Sequence, residues 1–469
     1  MPSTSLPRFL KMQAIKDSNV DFAVKGGGHA TNPGFSSTRG IQISMSRFNK
    51  LAHVSNGETG ELTVGAGCVF DEIYKFVRPM GYNVVGGGGS VGIGGWMTGG
   101  GFSLKTNQYG LGIDNLLQAR VVLPNGSTVL TASASSNTEL FWAIKGGGNN
   151  FGIVTEFVLR SHKQRGNGNV YGGLLTYDKA RIERVKKAII EFIDKKDPKA
   201  TIVAAFRVYR NHGVQEYKFT VLAFYDDEFI FQQTNPFEKF LAIPHEGRLA
   251  NSAYTTLDTA KSLLYNHIST KSTITLLKED DYHLMSFPSA HIAGLSIMNG
   301  RARWGNVMVS KYTKNLIDVV QEEAEAARSL MDKYNGKMIV TDVWPFLSGM
   351  FDNSVDSAWP HKRGEPNGPL LLYFLWEGEE NDKVWVDQMK TALGHISRIA
   401  LAEGCTTATT PQYGNTSLNM DTPDQLTQIY GTANLQRLRV LRRRYDEFNV
   451  MGRTGGFRIP LAMGFEEYQ

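Results

Sequence analysis

A histidine stands directly behind three glycines in Lys25-Gly26-Gly27-Gly28-His29, after the short apolar run Phe22–Val24. A neutral imidazole nitrogen is a competent nucleophile near pH 7. Glycine costs more backbone entropy to order than any other residue, so three together mark an unusual bend or a close approach by another molecule. Bare backbone N–H groups also form a cradle for anions. Such blocks recur. Gly86–Gly89 leads into Ser90, Val91, Gly92, Gly94 and Gly95, and Gly146–Gly148 is followed by Gly152. A diphosphate needs several converging N–H groups, and a flat ring needs backbone close along its edge. A dinucleotide bearing a large ring would use both kinds of loop.

Other uses of the glycines fit less well. No GxxxxGK[ST] run is present, which excludes a P-loop. Gly65-Ala66-Gly67-Cys68-Val69-Phe70 begins like a dinucleotide fingerprint but lacks its last glycine. The strict period of three that collagen needs is absent. Tight turns in a β-rich domain would account for any single cluster, and a turn hydrogen bond would account for His29 alone. That account is harder to sustain for several clusters, each placed after an apolar run. The ten histidines contain no HxxxH pair, and Cys68 and Cys405 are the only cysteines. No metal site and no disulfide framework is therefore expected, while one bridge between the two cysteines stays open.

The 469 residues are 41% hydrophobic and 20% charged, an ordinary globular balance, and the length suggests two domains. A net charge of +5 is too weak to indicate nucleic acid. The one dense basic run, Arg437–Arg444, interleaves with Leu438, Leu441, Tyr445 and Phe448 at helical spacing, which predicts a solvated arginine face. No apolar run reaches the ~18 residues of a membrane span. The first 22 residues contain no apolar signal-peptide core.

Residues 1–160 hold 27 of the 49 glycines. This third reads as short strands closed by glycine blocks, with a helix near Asp71–Met80 ended by Gly81. A hairpin is expected at VVLPNGSTVL, where Asn125-Gly126 suits a type I′ turn. Beyond about residue 165, Ile182, Val185, Ile189, Phe192 and Ile193 mark an amphipathic helix stopped before Pro198. TIVAAFRVYR, EYKFTVLAFY, KMIVTDVW and PLLLYFLWEG read as strands. Helices are expected over Lys314–Tyr334 and Asp382–Ala402. This pattern predicts one sheet with helices on one face.

Taken in order, KGGGHA, GGGGSVGIGGWMTGGGFS, NQYGLGIDNLLQARVVLPNG and ELFWAIKGGGNNFGIVTEF resemble the FAD-linked oxidases with a PCMH-type (vanillyl-alcohol-oxidase-like) flavin domain. The closer likeness is to the berberine-bridge-enzyme-like branch, especially its fungal members. IYGTANLQRLRVLRRRYDEFNVMGRTGGFRI resembles that branch's terminal segment. The likeness covers residues 20–165 and 405–460 strongly and the middle loosely. It implies an α+β fold. A PCMH-type FAD-binding domain would occupy 1–165 and an α+β substrate domain, with one antiparallel sheet covered by helices, 166–410. A C-terminal berberine-bridge-like segment, 411–469, would return to the FAD domain.

Carried over residue by residue, the resemblance places the FAD diphosphate against Lys25, Gly26, Gly27 and Gly28. It links His29 covalently to the flavin 8α carbon. Ser90, Val91, Gly92, Gly94 and Gly95 are expected along the diphosphate and flavin. Gly152 and Val154 would touch the adenosine and ribityl region, and Asn434 and Asn449 would lie close to the flavin. Some members carry a second link through a cysteine, but Gly88 stands at that position here. A single attachment is therefore expected, which disfavours an oligosaccharide substrate. The implied reaction removes a hydride from a carbon bearing oxygen or nitrogen to flavin N5, with O₂ reoxidising the flavin to give H₂O₂. Tyr413, 17 residues before Tyr430, is the candidate base. Tyr109 and Asp114 are read as architectural. The implied partners are a small organic substrate and O₂, with no nucleic acid or membrane, and the chain is expected to be a monomer.

The likeness has gaps. Only 28 residues precede His29, so the N-terminal α/β unit of the family is expected to be shortened, and with it part of the adenine wall. A flavin-binding or flavin-free remnant without redox turnover is thus the alternative function. EDDYHLMSFPSAHIAGLSIMN, Glu279–Asn299, has no counterpart, and its His283 and His291 are read as incidental. Asn125 and Asn415 begin N-glycosylation sequons, in keeping with the secreted origin that the resemblance implies.

Overall fold

The computed structural model describes residues 13–211, 213–230, 234–253, 300–420, 422 and 424–462. The stretch Glu279–Asn299, with His283 and His291, lies outside the described residues. Strand Phe22–Lys25 pairs in parallel with Ile41–Ser44, setting Val24 opposite Ile43. A six-stranded antiparallel sheet follows, in the order Leu51–Asn56, Thr59–Gly65, Ile153–Lys163, Leu116–Val122 and Val129–Ser133. Tyr82–Val84 also pairs with Ile153–Lys163. Along Ile153–Lys163 buried positions alternate with partly exposed ones, as one packed face requires. Helix Phe70–Val77 buries Phe70, Ile73, Tyr74 and Val77 at the i, i+3, i+4, i+7 spacing. It continues as a 3₁₀ turn to Met80 and stops at Gly81, whose φ of 77° is the left-handed stop expected there.

The hairpin forms, but not with the expected turn. Val122 pairs with Val129, leaving a six-residue connection, and only Gly126 in it has positive φ, 76°. A type I′ turn needs positive φ at both central residues. Asn125 instead accepts from the backbone N–H groups of Ser127 and Thr128 through Oδ1, an Asx-type turn. The Asn125 side chain also donates to Thr128 Oγ1.

The second sheet is antiparallel throughout and has eight strands. Its order is Glu246–Gly247, Asn169–Tyr177, Val214–Tyr225, Ala200–Asn211, Gly336–Val343, Gly368–Glu377 and Gly300–Val309, with Ala250–Ala253 also on Asn169–Tyr177. One face is covered by helices Ile182–Phe192, Lys314–Leu330 and Asp382–Ala402, as the fold class requires. Alternate residues Ile202, Ala204, Phe206 and Val208 pack toward those helices with Val185, Ile189, Trp385 and Ile396. The intervening Val203 joins the core of the first half, with Leu222, Met308, Trp344 and Leu371. The sheet is therefore buried on both faces, which is why its strands read as nearly unbroken apolar runs. Thr313 caps helix Lys314–Leu330 by accepting from the Leu316 N–H. That helix ends four residues earlier than its pattern predicts. Asn335, with φ of 50°, then turns the chain into Gly336.

The last segment packs back on the first half. Ile429, Tyr430, Leu438, Leu441, Val450, Met451 and Ile459 share its core, and Thr454 bridges Phe22. The basic run is solvated only in part: Arg443 and Arg444 are exposed, as expected, but Arg437 and Arg442 pack against the protein. Arg442 is 2% exposed and lies 3.7 Å from the fully buried Asp446. Arg437 stacks over Trp142 at 3.9 Å and pairs with Glu139 at 2.8 Å. Helical spacing identifies which side carries the arginines but not what packs against it. Cys68 and Cys405 are free and lie in separate cores, which closes the bridge left open by the sequence. Among the described residues no helix is long and apolar enough to cross a membrane.

Candidate active site

A cavity of about 300 Å³ lies between the glycine-rich half and the inner face of the large sheet. Its first wall begins where strand Phe22–Lys25 ends. Gly27 and Gly92 press their backbones together. A Cβ on Gly27 would stand 2.5 Å from the Gly92 nitrogen, and one on Gly92 would collide with the Gly27 nitrogen. Only glycine fits either position, and Gly28 adds a φ of +74°. His29 follows, half-buried, with Nε2 3.0 Å from Ser90 Oγ. Burial holds its pKa down to about 4, so the imidazole is neutral over the physiological range.

Further segments complete this side. Helix Ile93–Thr98 brings Gly94, Gly95 and Trp96. Gly148 donates its N–H to Thr98 O at 2.9 Å, pinning the loop of Gly146, Gly148 and Gly152 beside that helix. Asn150 ties the same loop to the C-terminal strap, donating to Phe457 O and accepting from the Ile459 N–H. Gly455, Gly456, Phe457 and Arg458 thereby reach the cavity.

The facing wall belongs to the sheet. Val203, Leu222, Trp304, Asp342, Trp344 and Leu371 line it. Asp342 is 2% exposed and 3.9 Å from the Arg207 guanidinium. Burial pushes its carboxyl up to about 7 against the opposing pull of Arg207. Its Oδ1 makes no hydrogen bond among the described residues, nor does the Trp344 indole nitrogen. Tyr413 closes the rim between the walls. Its Oη accepts from the Gly101 N–H at 3.1 Å and from Asn415 Nδ2 at 3.0 Å. Burial raises the phenol's pKa, and these donors oppose the rise. Asn415 therefore spends the nitrogen that its sequon would offer to a glycan on Tyr413 and on Trp96 O.

The fold brings Gly26, Gly27, Gly28, His29, Val91, Gly92, Gly94, Gly95, Gly152, Val154 and Tyr413 to one cavity. Ser90 stands behind His29. Lys25 is exposed, with its side chain packed against Gly28. Asn434 does not line the cavity; it donates to Ala358 O at 3.1 Å. Asn449, at φ 52°, accepts from Arg442 at 2.6 Å, also outside the lining. Tyr109 stacks on His162 at 3.8 Å, and the buried Asp114 accepts from Leu111 N, Val355 N and His361, an architectural knot. Asp342, Trp304, Trp344 and Arg458 escaped the sequence reading. The one available signal was a lone acid inside the apolar strand KMIVTDVW.

The residues present fit a flavin dinucleotide. Bare backbone from four separate segments meets in one cavity, at points where a Cβ would strike main chain, and the adjacent imidazole is neutral. The comparisons agree. Residues 11–132 match the family described as FAD binding domain. An FAD-dependent monooxygenase of Arthrobotrys oligospora is 37% identical over 202 residues, 42% of this chain and 38% of that relative. The match thus spans well under two thirds of the relative's length. BBE-like 1 of Physcomitrella patens superposes over 99% of this chain and 91% of its own, with a TM-score of 0.69 and 21% identity. A xylooligosaccharide oxidase of Myceliophthora thermophila C1, solved with xylobiose, does so over 99% and 91%, with a TM-score of 0.70 and 18% identity. These structures show the fold.

Proposed function

We propose, for a chain that carries an FAD-binding domain and has the fold of the berberine-bridge-like and vanillyl-alcohol-oxidase-type flavoproteins, that it is an FAD-dependent oxidase of a small organic substrate, with the flavin bonded to His29. When bound, the flavin supplies the hydride acceptor and returns its electrons to O₂ as H₂O₂. Gly26–Gly28 and Gly92–Gly95 would hold the diphosphate, and Ser90 orients the imidazole of His29 through the 3.0 Å contact. The substrate would enter the part of the cavity lined by the sheet residues Val203, Leu222 and Leu371. Hydride loss from an alcohol requires an acceptor for the hydroxyl proton. Asp342, with a pKa near 7, is matched to that task at neutral pH. Tyr413, whose phenol holds its proton more tightly than usual, keeps the substrate oriented beside it.

The observation that carries this reading is the single cavity shared by the glycine loops, His29 and Asp342. The purified protein is expected to be yellow, to keep its colour through acid denaturation, and to release peroxide with a substrate. A colourless protein would favour the flavin-free alternative. The monooxygenase name of the Arthrobotrys relative motivates a second reading, insertion of one oxygen atom into the substrate. Turnover under ¹⁸O₂ separates the two: label in peroxide alone supports the oxidase, and label in the product and in water supports oxygen insertion.

A further inference from the structure

Two loops from distant parts of the sequence hang from one strand. Gly300–Val309 ends the order of the large sheet and pairs only with Gly368–Glu377 among the described residues. An edge strand keeps main-chain N–H groups for other partners. Trp304 spends its own on the loop behind His29, donating to Thr31 Oγ1 at 3.1 Å, while the neighbouring Arg303 guanidinium donates to Thr31 O at 3.0 Å. Asn306 holds the other loop. Its Nδ2 donates to Tyr413 O at 2.8 Å, to Thr416 Oγ1 at 3.0 Å and to Ser417 Oγ at 3.2 Å. The loops also meet each other, since Asn32 Nδ2 donates to Ser417 O at 2.9 Å. Strand, Thr31, Asn32, Ser417 and Asn306 thus close a circuit of hydrogen bonds across sequence separations of 273, 385 and 111 residues.

Asn306 is the costly member of that circuit. It is 3% exposed, and its Oδ1 makes no hydrogen bond among the described residues. A buried amide satisfied on one side only is a burden in an apolar strand, so what the residue contributes is its donor. Ser417 Oγ also donates to Tyr413 O, at 2.9 Å, so that carbonyl keeps a partner without Asn306. Neither Thr31 nor Asn306 lines the cavity, whereas their neighbours Ala30, Trp304, Tyr413 and Thr416 do. We propose that Thr31 and Asn306 are positioning residues: through them the edge strand sets the register between His29 and Tyr413, and with it the place of a flavin carried by His29 against the rim of the cavity.

The placement of a flavin rests on the oxidase reading; the circuit of hydrogen bonds does not. Amide hydrogen exchange of the purified protein, read by mass spectrometry, therefore tests the circuit with or without cofactor. Asn306→Leu is expected to quicken exchange several-fold in residues 412–418 and also in the remote residues 28–36, while the melting midpoint changes little. Thr31→Val, which keeps the shape and loses the hydroxyl, is expected to quicken both segments as well, and Thr31→Ser to restore them. Exchange that quickens only beside each substitution, or not at all, would overturn the proposal, and Thr31→Val carries the test alone should Asn306→Leu fail to fold. In a yellow protein the visible circular dichroism of the flavin reads the placement of its ring. Thr31→Val is expected to shift that band at unchanged flavin per chain, and Thr31→Ser to return it. A fall in flavin content and melting midpoint together, with an unshifted band in what remains, would show a merely structural role and overturn the proposal. A colourless wild-type protein would overturn the oxidase reading, and the exchange of the two loops would still decide this one.

Discussion

Ser90 Oγ stands 3.0 Å from His29 Nε2, across 61 residues of sequence. The histidine side chain is thus held against the loop whose glycines form the same wall of the cavity, so the imidazole and that glycine loop share a contact. His29→Ala is expected to abolish acid-stable flavin. Ser90→Ala is expected to leave a several-fold smaller covalent fraction, because the ring loses its fixed orientation. Flavin fluorescence of the denatured protein band measures both. Full covalent loading of His29→Ala would refute the attachment.

Gly27→Ala should fail for a different reason. The new Cβ would stand 2.5 Å from a backbone nitrogen, which cannot swing aside as a side chain can. Overpacking of this kind costs about 1–3 kcal/mol. A lowered melting midpoint together with lost flavin is expected. A substitution at Gly34, where an added Cβ meets nothing within 4 Å but φ is +79°, should lower stability without removing the cofactor.

The pH dependence contains two opposed contributions. Asp342 is raised to about 7, so between its ordinary value near 4 and pH 7 the native state binds more protons than the unfolded chain. Its contribution to stability is complete below pH 4 and is lost as pH rises through 7. His29 is lowered to about 4, so its contribution is present above about pH 6.5 and is lost as pH falls toward 4. Asp342→Asn should therefore leave a steeper gain of stability between pH 4 and 6.5, and His29→Ala a flatter one. Thermal melts at half-unit pH steps read both slopes. In turnover, the rising limb of kcat/KM near pH 7 should vanish in Asp342→Asn.

Arg442→Ala tests the buried pair in the basic helix. Asp446 also accepts from the N–H groups of Val450 and Met451, so it stays in place when its cation is removed. Breaking a buried pair from one side costs about 3–5 kcal/mol. Arg444→Ala, in the same run, is expected to change stability little. Denaturant unfolding of the two variants distinguishes them.

Much of the first wall was legible in the sequence because close approach of backbones leaves a mark there, namely glycine. Gly27 and Gly92 announce their contact even though they lie 65 positions apart. The helices Ile182–Phe192 and Asp382–Ala402 were legible for the usual reason, apolar periodicity. Asp342 was not. Its importance depends on which face of a doubly buried strand meets the cavity and on Arg207 lying on the next strand, and neither is a local property. Arg442 was misread for the same cause. Asn434 and Asn449 were read from resemblance, and their side chains are engaged with Ala358 and Arg442 instead of the lining.

The strap of Gly455–Arg458 shares its cavity with Gly26–His29, more than four hundred residues upstream. The wall that this strap contributes is therefore missing from an emerging polypeptide until the strap has docked. Under the proposed function, enclosure of the flavin awaits docking of this strap, and a chain truncated near residue 450 should accumulate without colour.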